Sequence, residues 1–260
     1  MTDPQNPDVQ AIAERLLAAW EAGGEAPPDL AGTLDMDAAY AVQVAVLRRH
    51  RAAGRAQRGW KIGQTSAAMR AANQETTPAM GFLLAAGGLE SGSRLALAGA
   101  TDWFLEAELA FVLGCDLRGP GATPDQARAA VGQVLPAFEL VRRHGRFGMR
   151  TLQRALNLSQ AGYVLGAPHA GCPPAAALDA LPVRVTRDGA PVLEARGDAV
   201  NDNPLASTAW LANRLAAFGE HLAAGQVILT GSYTPLLPLR AGERWVARFG
   251  DLGEVTLEVG

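Results

Sequence analysis

Glu106 and Glu108 stand two residues apart inside Trp103–Leu113, a run that is otherwise almost wholly apolar and ends at Gly114. Such a run reads as a buried strand. A side-chain period of two puts both acids on one face with Ala110 and Val112, about 6–7 Å apart, and leaves Leu105, Ala107, Leu109, Phe111 and Leu113 on the other. Carboxylates buried side by side repel and each loses its hydration, so positive charge should lie beside them. A third acid, Glu139, interrupts a second apolar run, Leu135–Val141. Three carboxylates with room for water make an oxygen-donor site for a hard divalent cation, Mg²⁺ or Mn²⁺. The competing reading is the solvated face of an antiparallel edge strand, where Glu-x-Glu is common. Two features weigh against it: the same face continues as Ala110 and Val112, and Glu139 has apolar neighbours.

Lys61 sits between Trp60 and Ile62 in a strand bounded by Gly59 and Gly63. Alone it reads as a charge that guards an edge strand, but its two large apolar neighbours single it out as a candidate functional residue. Arg142, Arg143, Arg146, Arg150 and Arg154 follow one another with no acid among them. They form a solvated loop and helix or a lid that meets an anionic substrate. His50, His144, His169 and His221 are scattered without metal-ligand spacing. Cys115 and Cys172 form no CxxC pair, so neither a disulfide framework nor a zinc ribbon is available, and a reducing cytoplasm is the expected setting.

The elements that must position these residues follow from caps and periodicity. Asn6-Pro7 opens a helix with Val9, Ile12, Ala13, Leu16, Leu17 and Trp20 on one stripe up to Gly23-Gly24. A second helix from about Asp35 aligns Met36, Tyr40, Val44 and Leu47 and ends in Arg48-Arg49-His50-Arg51. A short helix spans Ser66 to Asn73, and Pro78–Leu84 is an apolar loop or strand. A capping box at Thr123–Gln126 starts a helix running to about Val134. Gly162–Gly166, Val183–Arg187, Ala190–Leu193, Gln226–Thr230, Glu243–Phe249 and Glu254–Val259 read as strands, with Asp188-Gly189 as a type I′ hairpin turn. Asn203-Pro204 caps a helix whose Leu205, Leu211, Leu215 and Phe218 face inward. Helices and hairpin strands are segregated, which makes the class α+β.

The chain has 260 residues, 48% hydrophobic and 19% charged, with a net charge of −3 and a pI near 5.8. That balance argues against a polyanion-binding surface, so no nucleic acid is expected. Neither a signal segment nor a spanning apolar run is present, and no membrane partner is expected.

Five segments then fall in one order: Gly59–Ser66, Glu106–Ala110, Leu135–Glu139, Ala161–Gly166 and Gly225–Ser232. Together they resemble the fumarylacetoacetate hydrolase superfamily, in its 2-keto-4-pentenoate hydratase and 2-oxo-3-hexenedioate decarboxylase branch. The resemblance implies a mixed β-roll with a helical N-terminal part, divided as a lead-in over 1–57 and a catalytic domain over 58–260. It implies Mg²⁺ or Mn²⁺ on Glu106, Glu108 and Glu139, a short 2-oxo acid substrate, and Lys61 as proton donor or enolate stabiliser. Gly231 and Ser232 would meet the substrate carboxylate, and Asn157 or Ser159 would hold a water. A homo-oligomer, and a complex with a sister pathway enzyme, are also implied. Two positions depart from the hydratase pattern. Ala79 and Leu156 stand where acids are expected, and the decarboxylases share the apolar residue at the first. Hydratase, decarboxylase or tautomerase, and a catalytically reduced binding or assembly subunit are therefore the three functional expectations.

Overall fold

Two side-chain caps start the helical part of the chain. Asn6 accepts from the Asp8 amide and opens α1 (Pro7–Glu21), and Asp35 accepts from the Ala38 amide and opens α2 (Met36–Ala52). Each cap satisfies an amide that the helix itself leaves unpaired. The computed structural model describes residues 3–22, 27–30, 32–97, 102–142, 150–197 and 202–260. The expected stop at Gly23-Gly24 and residues 143–149 of the arginine-rich segment lie outside them.

In chain order the remaining elements begin with β1 (Gln57–Gly63), α3 (Ala67–Ala72), β2 (Ala79–Leu84), β3 (Gly88–Glu90), β4 (Arg94–Leu95) and β5 (Trp103–Leu113). Next come α4 (Pro124–Ala130), β6 (Val131–Arg142), α5 (Arg150–Ala155), β7 (Gln160–Leu165), β8 (His169–Ala170) and α6 (Ala175–Asp179). The chain closes with β9 (Pro182–Arg187), β10 (Ala190–Arg196), α7 (Pro204–Ala216), β11 (Val227–Ser232), β12 (Leu237–Pro238), β13 (Arg244–Phe249) and β14 (Glu254–Val259). The larger sheet runs β2-β1-β11-β5-β6-β7-β3, with β12 on β5 and β8 on β6, and the smaller runs β10-β9-β13-β14-β4. Both are mixed: β1 with β11, β3 with β7 and β4 with β14 are parallel. This is the expected α+β class.

The larger sheet buries two faces. On one, Trp60, Ile62, Met80, Phe82, Leu105, Leu109 and Phe138 join α2 in the main core. On the other, Leu83, Ala110, Leu135, Ala137, Tyr163, Val227 and Leu229 form a second apolar cluster. Strand alternation puts Lys61, Glu106, Glu108 and Glu139 on that second face.

Several elements differ from the sequence expectation. Helix α4 stops at Ala130, not near Val134, because Val131 already pairs with Leu113 of β5 and the Ala130 carbonyl accepts from the Gly114 amide at 2.8 Å. Helix α2 is buried from Ala38 to Leu47 on every side rather than along one stripe, its alanines allowing close approach. The one polar residue in that stretch, Gln43, donates to the carbonyls of Met80 at 3.0 Å and Arg154 at 2.6 Å. Arg154 is neither solvated nor on a lid; it is buried and paired with Glu75 at 3.2 Å. On α1 the stripe is incomplete, with Val9, Ala13 and Leu16 buried but Trp20 52% exposed.

Because the Asp35 cap starts the most buried helix, Asp35→Ala is expected to cost about 1 kcal/mol, read as a lower urea midpoint at unchanged slope, while Asp35→Asn stays near wild type.

Candidate metal centre

Strands β5 and β6 pair antiparallel with Glu106 opposite Glu139 and Glu108 opposite Ala137. The register brings the three acids together, and one oxygen of each lies within 4.8 Å of the others. Glu108 and Glu139 are 1% exposed and Glu106 is half-buried. The solvated-edge reading fails because β5 lies between β11 and β6.

Lys61 supplies the positive charge. It is 4% exposed on a strand flanked by β2 and β11, so it guards no edge. Its Nζ lies 2.9 Å from Oε1 of Glu139 and donates to Oε2 at 3.2 Å. Three strand spacings separate β1 from β6, about 14 Å on a flat sheet. A lysine and a glutamate meet over that span only if the sheet curls, so the acids lie on its concave side. Burial alone would lower the Lys61 pKa, but the fields of Glu139, Glu106 and Glu108 outweigh it and hold it raised.

Glu108 is fixed by an interruption in β11. The β11–β5 ladder shifts register between Leu229 and Ser232. There the Gly231 amide donates to Glu108 Oε2 at 3.0 Å and the Thr230 hydroxyl donates to the Leu109 carbonyl at 2.9 Å. The bulge thus turns a ladder amide towards a carboxylate. Gly231 has φ +111°, and a Cβ there would stand 2.3 Å from Thr65 Oγ1. Ser232 Oγ donates to the Thr234 carbonyl at 2.7 Å and accepts from the Thr234 amide at 3.0 Å. Of the pair expected to meet a substrate carboxylate, Gly231 is thus directed at Glu108 and Ser232 braces the following turn.

Asn157 closes the exposed edge of β2. Its Oδ1 accepts from the Phe82 amide at 2.7 Å and its Nδ2 donates to the Phe82 carbonyl at 2.9 Å. Asn157, Leu158 and Ser159 have φ of 57°, 56° and 60°, three successive left-handed residues, none of them glycine. Strain of this kind persists where surrounding contacts enforce it and concentrates at functional sites. Gly81 faces this turn; a Cβ there would stand 2.8 Å from Asn157 Oδ1 and 3.1 Å from Lys61 Cγ. Ala79 shares the Lys61 face of β2 and is fully buried, and Leu156 packs against the main core.

The donor set fits a hard divalent cation. Three acids converge in a largely buried volume, with Lys61 as the ammonium beside them among the described residues. Burial first, then Glu139 and Glu106, push the Glu108 pKa well above the carboxylate range. Oε1 of Glu139 is buried and receives no hydrogen bond, because Lys61 Nζ approaches it off the required direction. A cation coordinated by oxygen would relieve both.

Sequence reasoning did not single out Thr65, Gly81, Leu158 or Thr230. Gly81 was readable only as a glycine inside the apolar segment Pro78–Leu84, and the Thr230-Gly231 bulge has no local signal beyond a glycine inside a strand pattern.

A fumarylacetoacetate hydrolase C-terminal model matches residues 48–260. The chain is 34% identical over 229 residues to a 2-hydroxyhexa-2,4-dienoate hydratase of Comamonas testosteroni, covering 86% of each. It is 36% identical over 237 residues to a 2-oxo-hept-4-ene-1,7-dioate hydratase of Escherichia coli, again covering 86% of each. Among solved structures it is similar to a 4-oxalocrotonate decarboxylase from Pseudomonas putida G7 in complex with magnesium and adipate, with a TM-score of 0.88, 30% identity and 97% of both chains covered.

Two substitutions test how the turn holds Lys61. Asn157→Ala leaves the buried Phe82 amide and carbonyl unpaired and is expected to cost about 1–3 kcal/mol in chemical denaturation. Gly81→Ala should cost a similar amount by overpacking, about 1–3 kcal/mol. Wild-type stability in both would show that the clamp does not hold this edge.

Proposed function

The chain belongs to the fumarylacetoacetate hydrolase family, and on that premise we propose that it is a divalent-metal-dependent lyase of the hydratase type. Its substrate would be a short 2-hydroxydienoic or 2-oxo-4-enoic acid of the kind formed in meta-cleavage of aromatic compounds. The observation that carries the reading is the convergence of Glu106, Glu108 and Glu139 with Lys61 held on Glu139. In this reading the three carboxylates hold Mg²⁺ or Mn²⁺. A cation held there would supply stabilisation for the negative charge that develops on the C2 oxygen of a 2-oxo acid.

The chain's own residues do the rest. The Gly231 amide orients Glu108, and Asn157 holds β2 and so the wall beside Lys61. Lys61, kept protonated by the acids around it, donates a proton or stabilises an enolate. Gly231-Ser232 forms the wall near the substrate carboxylate, and Ser159 is the remaining hydroxyl on the Asn157 turn that positions a water. The apolar cluster of Leu83, Leu135 and Leu229 on the same face excludes solvent below the acids. The reading also includes a cytoplasmic homo-oligomer associating with a sister pathway enzyme. No described helix is long and apolar enough to cross a membrane.

A second reading is favoured by one observation. Ala79 and Leu156 are apolar where a hydratase would place acids, and Asn157 spends its side chain on Phe82. Adding water across C4–C5 needs a base for that water, whereas loss of CO₂ needs an electron sink and a proton at carbon. A 2-oxo-3-enedioate decarboxylase therefore stands as the alternative.

The first expected outcome is a rise in melting temperature with millimolar Mg²⁺ or Mn²⁺, about 2.7 kcal/mol of stabilisation at a hundredfold excess over Kd, lost in Glu108→Gln. No cation response in the wild type would sink the metal assignment. In turnover assays following dienol absorbance alongside CO₂ release, Lys61→Met should retain the cation response yet lose activity by about 10² or more. Ala79→Asp should raise hydration on the first reading and leave or reduce CO₂ release on the second. Binding of oxalate without turnover of either substrate class would leave a binding or assembly role. Light scattering at micromolar concentration checks the oligomer, since a mass of 27.1 kDa would exclude it.

A further inference from the structure

On the opposite side of the larger sheet from the acids lies a cavity of about 330 Å³ between α1, α2 and the edge where β2 approaches β7. Strand alternation separates the two sites. Trp103 pairs with Arg142 across β5 and β6, and both project from the face opposite Glu106 and Glu139. The cavity walls are mainly apolar, with Leu16, Val46, Phe82 and Leu156 among them; Lys61, Glu106, Glu108 and Glu139 do not line it, and the Asn157–Ser159 turn at the sheet edge borders both sites.

Polar side chains line it as well, Asn157, Ser159 and Gln160 among them, and three others each leave a buried nitrogen without a hydrogen-bond partner among the described residues: His50 Nδ1, Trp103 Nε1 and Arg142 Nε. His50 is only 2% exposed. Buried polar atoms are nearly always paired, and two of these, the Trp103 indole N–H and the Arg142 Nε–H, can only donate, so the cavity points to a ligand with acceptor atoms. The walls are also aromatic. Trp20 meets His50 edge-on with centroids 5.5 Å apart, His50 lies 5.6 Å from Phe82, and the Arg142 guanidinium stands 5.7 Å from the Trp103 ring. Burial, with Arg55 nearby, pulls the His50 pKa down to about 4, so Arg142 carries the fixed charge at neutral pH.

We propose that this cavity is a second binding site, separate from the carboxylate centre, for a small aromatic carboxylate. The ring packs among Phe82, His50 and Trp103, and the carboxylate accepts from Arg142 and the Trp103 indole N–H. Charge-assisted bonds to a guanidinium fix orientation, and ring contacts supply the apolar burial.

The test uses the full chain and benzoate as probe, titrated by calorimetry with and without saturating Mg²⁺ and oxalate. Benzoate is expected to bind equally in both conditions. Arg142→Met should weaken it by about tenfold or more and Trp103→Phe, which keeps the ring but removes the donor, by about fivefold. Benzyl alcohol, with the ring but no charge, should bind at least tenfold more weakly, on the same scale of about 1.4 kcal/mol per decade. Circular dichroism checks that the variants fold. Should either fail, intermolecular NOEs in the wild type from benzoate to Phe82 and Trp103 protons decide instead. Absence of benzoate binding or of those NOEs, displacement by oxalate, or wild-type affinity in both variants would each overturn the proposal.

Discussion

The buried ion pair between Lys61 and Glu139 is the contact on which the rest of the site depends. It joins strands three places apart, so it forms only in a sheet curled towards its charged face. The curl places apolar residues from β2, β11, β5, β6 and β7 in one cluster below the charges. Removing one partner of such a pair leaves an uncompensated buried charge, a loss of about 3–5 kcal/mol. Here two further acids already crowd the survivor, so the lysine stabilises the fold as well as equipping the site.

Around that pair the backbone is arranged to spare side-chain freedom. Gly81 leaves the space through which the Lys61 stem passes, and Gly231 turns an amide onto Glu108 where a side chain would strike Thr65. The left-handed turn at 157–159 lets one asparagine side chain satisfy the amide and carbonyl that the edge strand would otherwise expose. The edge is thereby covered by a loop rather than by another strand, which also blocks pairing with a foreign chain.

Much of this was legible in the sequence because a strand period of two is a local signal. Glu106 and Glu108 on one face, and a third acid in an apolar run, required only alternation and the cost of burying charge. The α+β class and the hairpin at Asp188-Gly189 were equally local. Partners chosen by tertiary contact were not legible. The arginine run suggested solvent or a lid, yet Arg154 is sequestered by Glu75, which lies far back in the chain. The end of α4 was overestimated because Val131 and Val134 continue a helical apolar spacing, and pairing with β5 overrides that pattern. Nor does any local pattern on the second helix mark Gln43, which bridges two carbonyls inside the core.

The strand pairing also bears on the order in which the chain organises itself. β5 and β6 are consecutive strands, so Glu106, Glu108 and Glu139 meet through a comparatively short loop closure, whereas Lys61 is 78 residues and Gly231 123 residues from the carboxylates they bind. Contacts of large sequence separation form after loop entropy has been overcome. A nascent β5–β6 pair therefore brings three acids together before Lys61 of β1 is in place, and their mutual repulsion opposes the pairing until that strand docks. That repulsion disfavours a long-lived partial sheet with an open edge, and only the arrival of the distant lysine strand relieves it.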